Sequence, residues 1–207
     1  MAQSRAERRY LLLHKPYGVL CDFDVAGGRP TLADFVSVPG LHVAGRLDLD
    51  SEGLVLLTGD GGLVHLLSHP RYAHSKTYLV QVEGVPPETA LAALRSGVMV
   101  KGRLTAPAQV ERLPCAPDLP PRPVPVREHP TLPSAWLCLV LTEGKKRQVR
   151  HMTAAVGHPT LRLVRVGLGP LHLGDLQPGE WRELHSEEVT TLQAELSWKP
   201  RPRRVGM

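Results

Sequence analysis

Cysteine is nearly missing from this chain, and so are the residue groupings on which much enzyme chemistry is built. Its 207 residues include three cysteines, Cys21, Cys115 and Cys138, which are far apart, odd in number and never in a CxxC pair. That excludes a disulfide framework and a cysteine-based zinc site, and fits a reducing cytoplasm. No apolar run approaches the roughly 20 residues that a membrane-spanning helix needs. Met1 to Tyr10 is polar and basic and lacks an apolar centre, so it is no secretory signal. Lysine is scarce too. Of 25 basic residues six are Lys, which leaves 19 Arg, within a net charge of +5. Arginine's planar fork suits phosphates and stacks on bases, so this balance leans towards a nucleic-acid partner.

Several familiar sites fail on inspection. Asp48-Leu49-Asp50-Ser51-Glu52-Gly53 opens like a calcium loop, but Gly59 stands where the bidentate Glu is required and Glu52 occupies the fifth position. His65 and His69 have i,i+4 spacing without the Glu of a zinc protease between them. There is no Walker loop, and Gly167-Leu168-Gly169 lacks a third glycine. No Ser or Thr sits in a nucleophile elbow. The expectation is therefore an activity that needs no metal and no small-molecule cofactor.

A hydrophobic content of 42% suits a folded chain, and its pattern gives alternating elements. Strands are predicted at Tyr10–His14, Leu41–Ala44, Leu54–Thr58, Lys76–Val82, Ala135–Leu141, Leu161–Val166 and Glu180–Leu184. Thr31–Val36 reads as a short helix and Gly61–Ser68 as another, stopped at Pro70. Further helices run from Pro87 to Gly97, from Lys146 to Val156, and from an N-cap at Ser186 to Leu196. Residues 114–133 hold eight prolines, so they are expected to form an extended, semi-rigid surface loop, basic at Arg122 and Arg127. Without regular βαβ alternation, the class is α+β with a mixed or mostly antiparallel sheet. Residues 1–9 form a basic lead, 10–197 one catalytic domain, and 198–207 a basic tail.

What remains for chemistry is a carboxylate, an arginine and an aromatic. Asp48 lies in the loop between two apolar strands, where a rigid scaffold can present it. By composition alone, a turn carboxylate capping its own backbone explains it better. On a helix, Arg147, Arg150 and His151 share one face while Val149, Met152 and Val156 form the buried stripe. Tyr78 is the third element, on a strand face otherwise made of Val80 and Val82, where a core tyrosine also fits.

In this order the pieces resemble the pseudouridine synthase family that includes small-subunit rRNA synthase A and large-subunit synthases B, E and F. The matching segments are Lys15-Pro16-Tyr17-Gly18, Gly45-Arg46-Leu47-Asp48 with Asp50-Ser51-Glu52-Gly53-Leu54, Lys76-Thr77-Tyr78 through Gly84, and Arg147-Gln148-Val149-Arg150 through Gly157. Likeness runs from about Tyr10 to Leu184. Within the family, Pro159–Leu163 and Gly179–Leu184 look like a large-subunit type. The nine residues before Tyr10 leave no room for the S4-type RNA-binding module that many relatives carry. Leu49 and His151 depart from positions that are usually basic in the family, and His14 and Lys146 from positions where Asn is common.

The resemblance implies a pseudouridine synthase fold, a sheet in two joined halves flanked by helices. It also implies conversion of a uridine in ribosomal RNA, expected to be 23S, to its C-glycoside isomer. The same reaction on 16S rRNA or tRNA, or a silent RNA-binding assembly factor, are the alternatives. Asp48 would be the nucleophile, Tyr78 the residue stacked on the extruded base, and Arg150 the partner of Asp48, with Arg147 as competitor. Lys15, Arg46, Lys76, Lys145, Lys146, Arg147 and His151 are the expected RNA contacts. A monomer without membrane attachment is expected.

Overall fold

The computed structural model describes residues 9–24, 27–69, 72–127 and 131–197. The predicted basic lead, apart from Arg9, the basic tail and Pro70 lie outside them. The chain runs β1 (Tyr10–Lys15), a 3-10 turn (Leu32–Asp34), β2 (His42–Ala44), β3 (Glu52–Thr58), α1 (Gly61–Ser68), β4 (Lys76–Glu83), α2 (Glu88–Ser96), β5 (Met99–Val100) and β6 (Arg103–Leu104). It continues through β7 (Gln109–Arg112), β8 (Ser134–Leu141), α3 (Gln148–Ala155), β9 (Thr160–Leu168), β10 (Leu171–His172), β11 (Trp181–Glu183) and α4 (Ser186–Ser197).

One large sheet has the strand order β11-β1-β3-β9-β4-β8-β7, with β2 on β3 and β10 on β9. Every pairing in it is antiparallel except β3 with β9, which is parallel and short: Glu52 opposite Val164 and Gly53 opposite Arg165. That parallel contact is the seam between two antiparallel halves. Gly53 permits it. Its φ is +105°, and a Cβ there would stand 2.2 Å from the Arg165 carbonyl oxygen, a position open only to glycine.

The apolar runs of β1 and β3 are continuous rather than alternating because both faces are covered. Tyr10, Leu12, Leu54 and Leu56 join a core that also includes Leu63 and Leu67 of α1 and Leu192 and Leu196 of α4. Leu11, Leu13, Val55 and Leu57 join a second core with Leu32 and Val36. In the other half, Tyr78, Val80 and Val82 alternate into a third core with α2 and with Val149 and Met152 of α3. Burying such side chains contributes about 1.5–3 kcal/mol each. α1 starts where Asp60 accepts bonds from the amides of Gly62 and Leu63 at 3.1 and 3.2 Å, while also accepting one from the Tyr10 hydroxyl at 3.1 Å.

Three expectations change. The helix expected from Lys146 begins at Gln148 instead. Gln148 turns its side chain back, accepting from the Lys145 amide and donating to Glu143. This folds residues 143–147 into a turn that ends at Arg147 in left-handed backbone, φ 55°. Strands β5, β6, β7 and β10 were not anticipated. The proline-rich segment is fastened down rather than simply lying on the surface: Leu119 packs on the first core, the Pro120 carbonyl accepts from Arg162, and the Arg122 guanidinium sits 4.3 Å over the Tyr17 ring. No helix among the described residues is long and apolar enough to cross a membrane.

Candidate active site

A cavity of about 480 Å³ opens where the two halves meet, within the usual size of small-ligand clefts. Its walls come from the β2–β3 loop, the end of α1, the start of β4, the turn before α3, and β9. Gly45, Arg46, Leu47, Asp48 and Ser51 supply the loop wall.

That loop is pinned at every step. The Asp48 carbonyl accepts from the Ser51 amide at 3.1 Å, and the Leu49 carbonyl accepts from the Gly18 amide at 2.9 Å. Leu47 packs between two of the cores. The Asp48 carboxylate itself, half-buried on the cavity wall, has no hydrogen-bond or ion-pair partner among the described residues. Its backbone is spoken for and its side chain is left available, the reverse of a turn carboxylate that caps its own loop.

Tyr78 is buried and lines the same cavity. Register places it directly opposite Arg165 across β4 and β9, so the two project from one face of the sheet. Arg165 is 1% exposed. It donates to the Leu54 carbonyl at 2.8 Å and the Gly45 carbonyl at 2.6 Å. It also lines the cavity and has no carboxylate partner among the described residues. Sequence reasoning missed it. The signal is an arginine set between Val164 and Val166 in a strand, a placement that is rare without a specific task.

Arg150 does not pair with Asp48. It donates to the Asp50 backbone carbonyl at 2.7 Å and the Thr160 carbonyl at 3.1 Å, and its Nε lies 3.3 Å from the Asp50 carboxylate. Arg147 forks onto the same carboxylate at 2.7 and 2.9 Å. Both candidates for the Asp48 arginine are thus spent on Asp50, because α3 begins two residues late and faces the far end of the loop. Burial pushes the Asp50 carboxyl up, but the Arg147 bonds and the Arg150 charge outweigh it and hold the group below its usual range. The clamp fixes the loop two residues beyond Asp48.

Lys15, expected against RNA, is fully buried. Strand β1 is covered on both faces, so its last side chain turns inward. There its ammonium donates to the Pro16 and Val19 carbonyls at 2.9 and 2.8 Å. Burial lowers its pKa to about 8 against the pull of Cys21, Glu52, Asp50 and Asp48, whose charges it feels. Lys15 thus supports the acidic loop from beneath.

The other basic candidates ring the opening, His151 apart. Lys76 lines the wall, donating to the His74 carbonyl at 2.9 Å, and burial together with Arg165 lowers it to about 8. Lys145, Lys146 and Arg147 border the mouth, and Arg46 reaches outward to Asp22 at 2.9 Å. His151 stands on α3 half-exposed and away from the lining. His65, His69 and Tyr72 form a ring cluster beside the cavity, His65 tilted on His69 with centroids 5.3 Å apart and Tyr72 edge-on to both.

The profile of a protein family described as RNA pseudouridylate synthase matches residues 9–155. The chain is 56% identical over 174 residues to the ribosomal large subunit pseudouridine synthase E of Xanthomonas campestris pv. campestris, covering 83% of this chain and 93% of that protein. Identity to the protein of the same name from Vibrio vulnificus is 51% over 181 residues, covering 87% and 77%. A solved crystal structure of a pseudouridylate synthase superposes with a TM-score of 0.74 at 34% identity, over 90% of this chain and 74% of that one.

Proposed function

Because the chain belongs to the RNA pseudouridylate synthase family, we propose that it isomerises a uridine of large-subunit (23S) ribosomal RNA to pseudouridine, with Asp48 as nucleophile. The observation that carries this reading is the unpartnered Asp48 carboxylate on a cavity wall that also holds the paired Tyr78 and Arg165. The large-subunit assignment draws on the names of relatives at 51% and 56% identity.

In this reading the target uridine leaves its stack to enter the cavity, and the Tyr78 ring stacks on the base. The Asp48 carboxylate acts at the sugar as the N1–C1′ bond breaks. The uracil turns within the cavity and a C5–C1′ bond replaces the lost one. The proton released from C5 is balanced by one gained at N1, so the product is an isomer of the substrate. Arg165 supplies the fixed positive charge beside the Asp48 loop, held by backbone carbonyls rather than neutralised by an acid. Lys145, Lys146, Arg46 and Arg147 take the flanking phosphates at the rim, with His151 further out on α3.

Asp48→Asn and Asp48→Ala are each expected to abolish pseudouridine formation in large-subunit rRNA while binding of that RNA persists. Pseudouridine mapping together with a filter-binding measurement reads both. Appreciable turnover by either variant sinks the assignment.

A further inference from the structure

We propose that the β5–β6 hairpin is a second RNA-docking element, seated on the strand that flanks the target uridine and governing which RNA the cavity receives. This rests on the RNA-isomerase reading above.

Met99 and Leu104 are 61% and 64% exposed, the most exposed large apolar side chains among the described residues. They are paired directly across the hairpin, so they stand together on one face. The exposure is not a failure of packing. Val98 and Thr105 beneath them are buried and tied by two hydrogen bonds of 3.0 Å, and Val100 between them packs against the core shared by α2 and α3. An apolar pair held out into water on a well-anchored stem is the mark of a contact surface.

The tip is cationic. Lys101 and Gly102 both have positive φ, 49° and 75°, as a two-residue type I′ turn requires. Asn or Asp suits the first of these positions better than a long side chain. The chain carries Lys there, with Arg103 next to the turn. Both are exposed and without a hydrogen-bond or ion-pair partner among the described residues, and Met99–Leu104 contains no acid. Two free cations, one in the turn and one beside it, fit two phosphates. The apolar pair fits the ribose and base faces of unpaired nucleotides, which lie open in single-stranded RNA.

The hairpin also stands at the right place. Just past β6, the Ala106 amide donates at 2.9 Å to Glu143, a residue of the cavity rim that neighbours Lys145, Lys146 and Arg147. A polymer whose one nucleotide fills the cavity leaves over this rim, and the hairpin extends it.

The test is a variant that keeps the turn and removes the contact: Met99→Thr, Lys101→Asn, Arg103→Thr and Leu104→Thr together. Asn-Gly suits a type I′ turn and Thr suits strands, so the hairpin persists; an unchanged melting temperature checks this. On a folded rRNA fragment holding the target uridine, KM is expected to rise about tenfold with kcat within about twofold, and the slope of log affinity against log salt to become shallower by about 1 to 2. On a short oligonucleotide that spans only the target, wild type and variant are expected to behave alike. A wild-type KM and salt slope in the variant overturn the proposal, whether the pair then meets a protein, a second copy of the chain or nothing. A fall in kcat alone overturns it too. If wild-type protein forms no pseudouridine in rRNA, the functional reading fails instead, and equal affinity of the two proteins for the fragment still decides against the hairpin.

Discussion

Arg165 and Arg150 both reach the neighbourhood of Asp48, and their partners separate their tasks. Arg150 is tied to Asp50 and to two backbone carbonyls, so its removal loosens the loop. Arg165 holds its charge beside the loop with no acid to neutralise it among the described residues. Arg165→Met is expected to lower the single-turnover rate by about 10²–10³-fold, the scale of losing one fixed electrostatic contact in a reaction site. Arg165→Lys restores part of the rate by returning the charge without the planar fork. Arg150→Met is expected to cost stability first and rate second. Paired rate and melting measurements decide, and an Arg165→Met protein of undiminished rate reverses the assignment. Lys15 adds a pH dependence. Burial drops its pKa from the usual 10.5 to about 8, so the folded chain binds this proton less tightly than the unfolded chain. Below pH 8 both states are charged and the cost is full. Between pH 8 and 10.5 the folded state sheds the proton first, so its stability rises with pH by an amount on the order of 3 kcal/mol. The neutral amine still donates to both carbonyls. Measured against Lys15→Met, wild-type protein should gain stability across that window; a constant difference between the two contradicts a buried, depressed lysine.

At the scale of elements, legibility followed length and burial. Gly61–Ser68 is legible to the residue because its apolar residues run up to the stop at Pro70, and the structure adds a capped start at Asp60. Lys76–Val82 is legible because Tyr78, Val80 and Val82 alternate onto a single core, and the strand runs one residue further, to Glu83. The two-residue strands of the β5–β6 hairpin carry no usable period; its one local signal is Lys-Gly at a turn that wants positive φ. The start of α3 is not legible, because charge in the run from Glu143 to Arg147 resembles a helix face while the helix begins at Gln148. Only the Gln148 side chain, bonded back to Lys145 and Glu143, shows that the chain is turning there. That displacement of two residues moved Arg147 off the helix and both arginines onto Asp50. Arg165 is hidden for a related reason. In the linear sequence it is one of 19 arginines, and only the register of β4 against β9 sets it opposite Tyr78.

The whole molecule depends on a narrow seam. The two sheet halves share a parallel contact of two residue pairs, crossed by apolar side chains such as Leu54 and Val164 of the first core and by two buried arginines. Arg162 of β9 forks onto Glu52 of β3 at 2.9 and 2.8 Å, with Glu52 1% and Arg162 8% exposed, and it also donates to the Pro120 carbonyl. Arg165 spans the same line to Leu54 and Gly45. One seam therefore joins the halves, anchors the proline-rich segment and sets the cavity wall. Breaking it from one side leaves a buried charge without its partner, which typically costs about 3–5 kcal/mol. Glu52→Leu is accordingly expected to lower the melting temperature by roughly 6–20 °C for a chain of this size. Glu52→Leu combined with Arg162→Met removes both charges and should recover most of that loss. Because the Asp48 loop begins in β2 and ends in β3, the single variant should also lose activity below its melting point, and the double variant should regain it. A double variant as unstable as the single one would mean that the ion pair itself, not the avoidance of a stranded charge, holds the halves together. Thermal melts of the three proteins, read with activity at a common temperature, distinguish these outcomes.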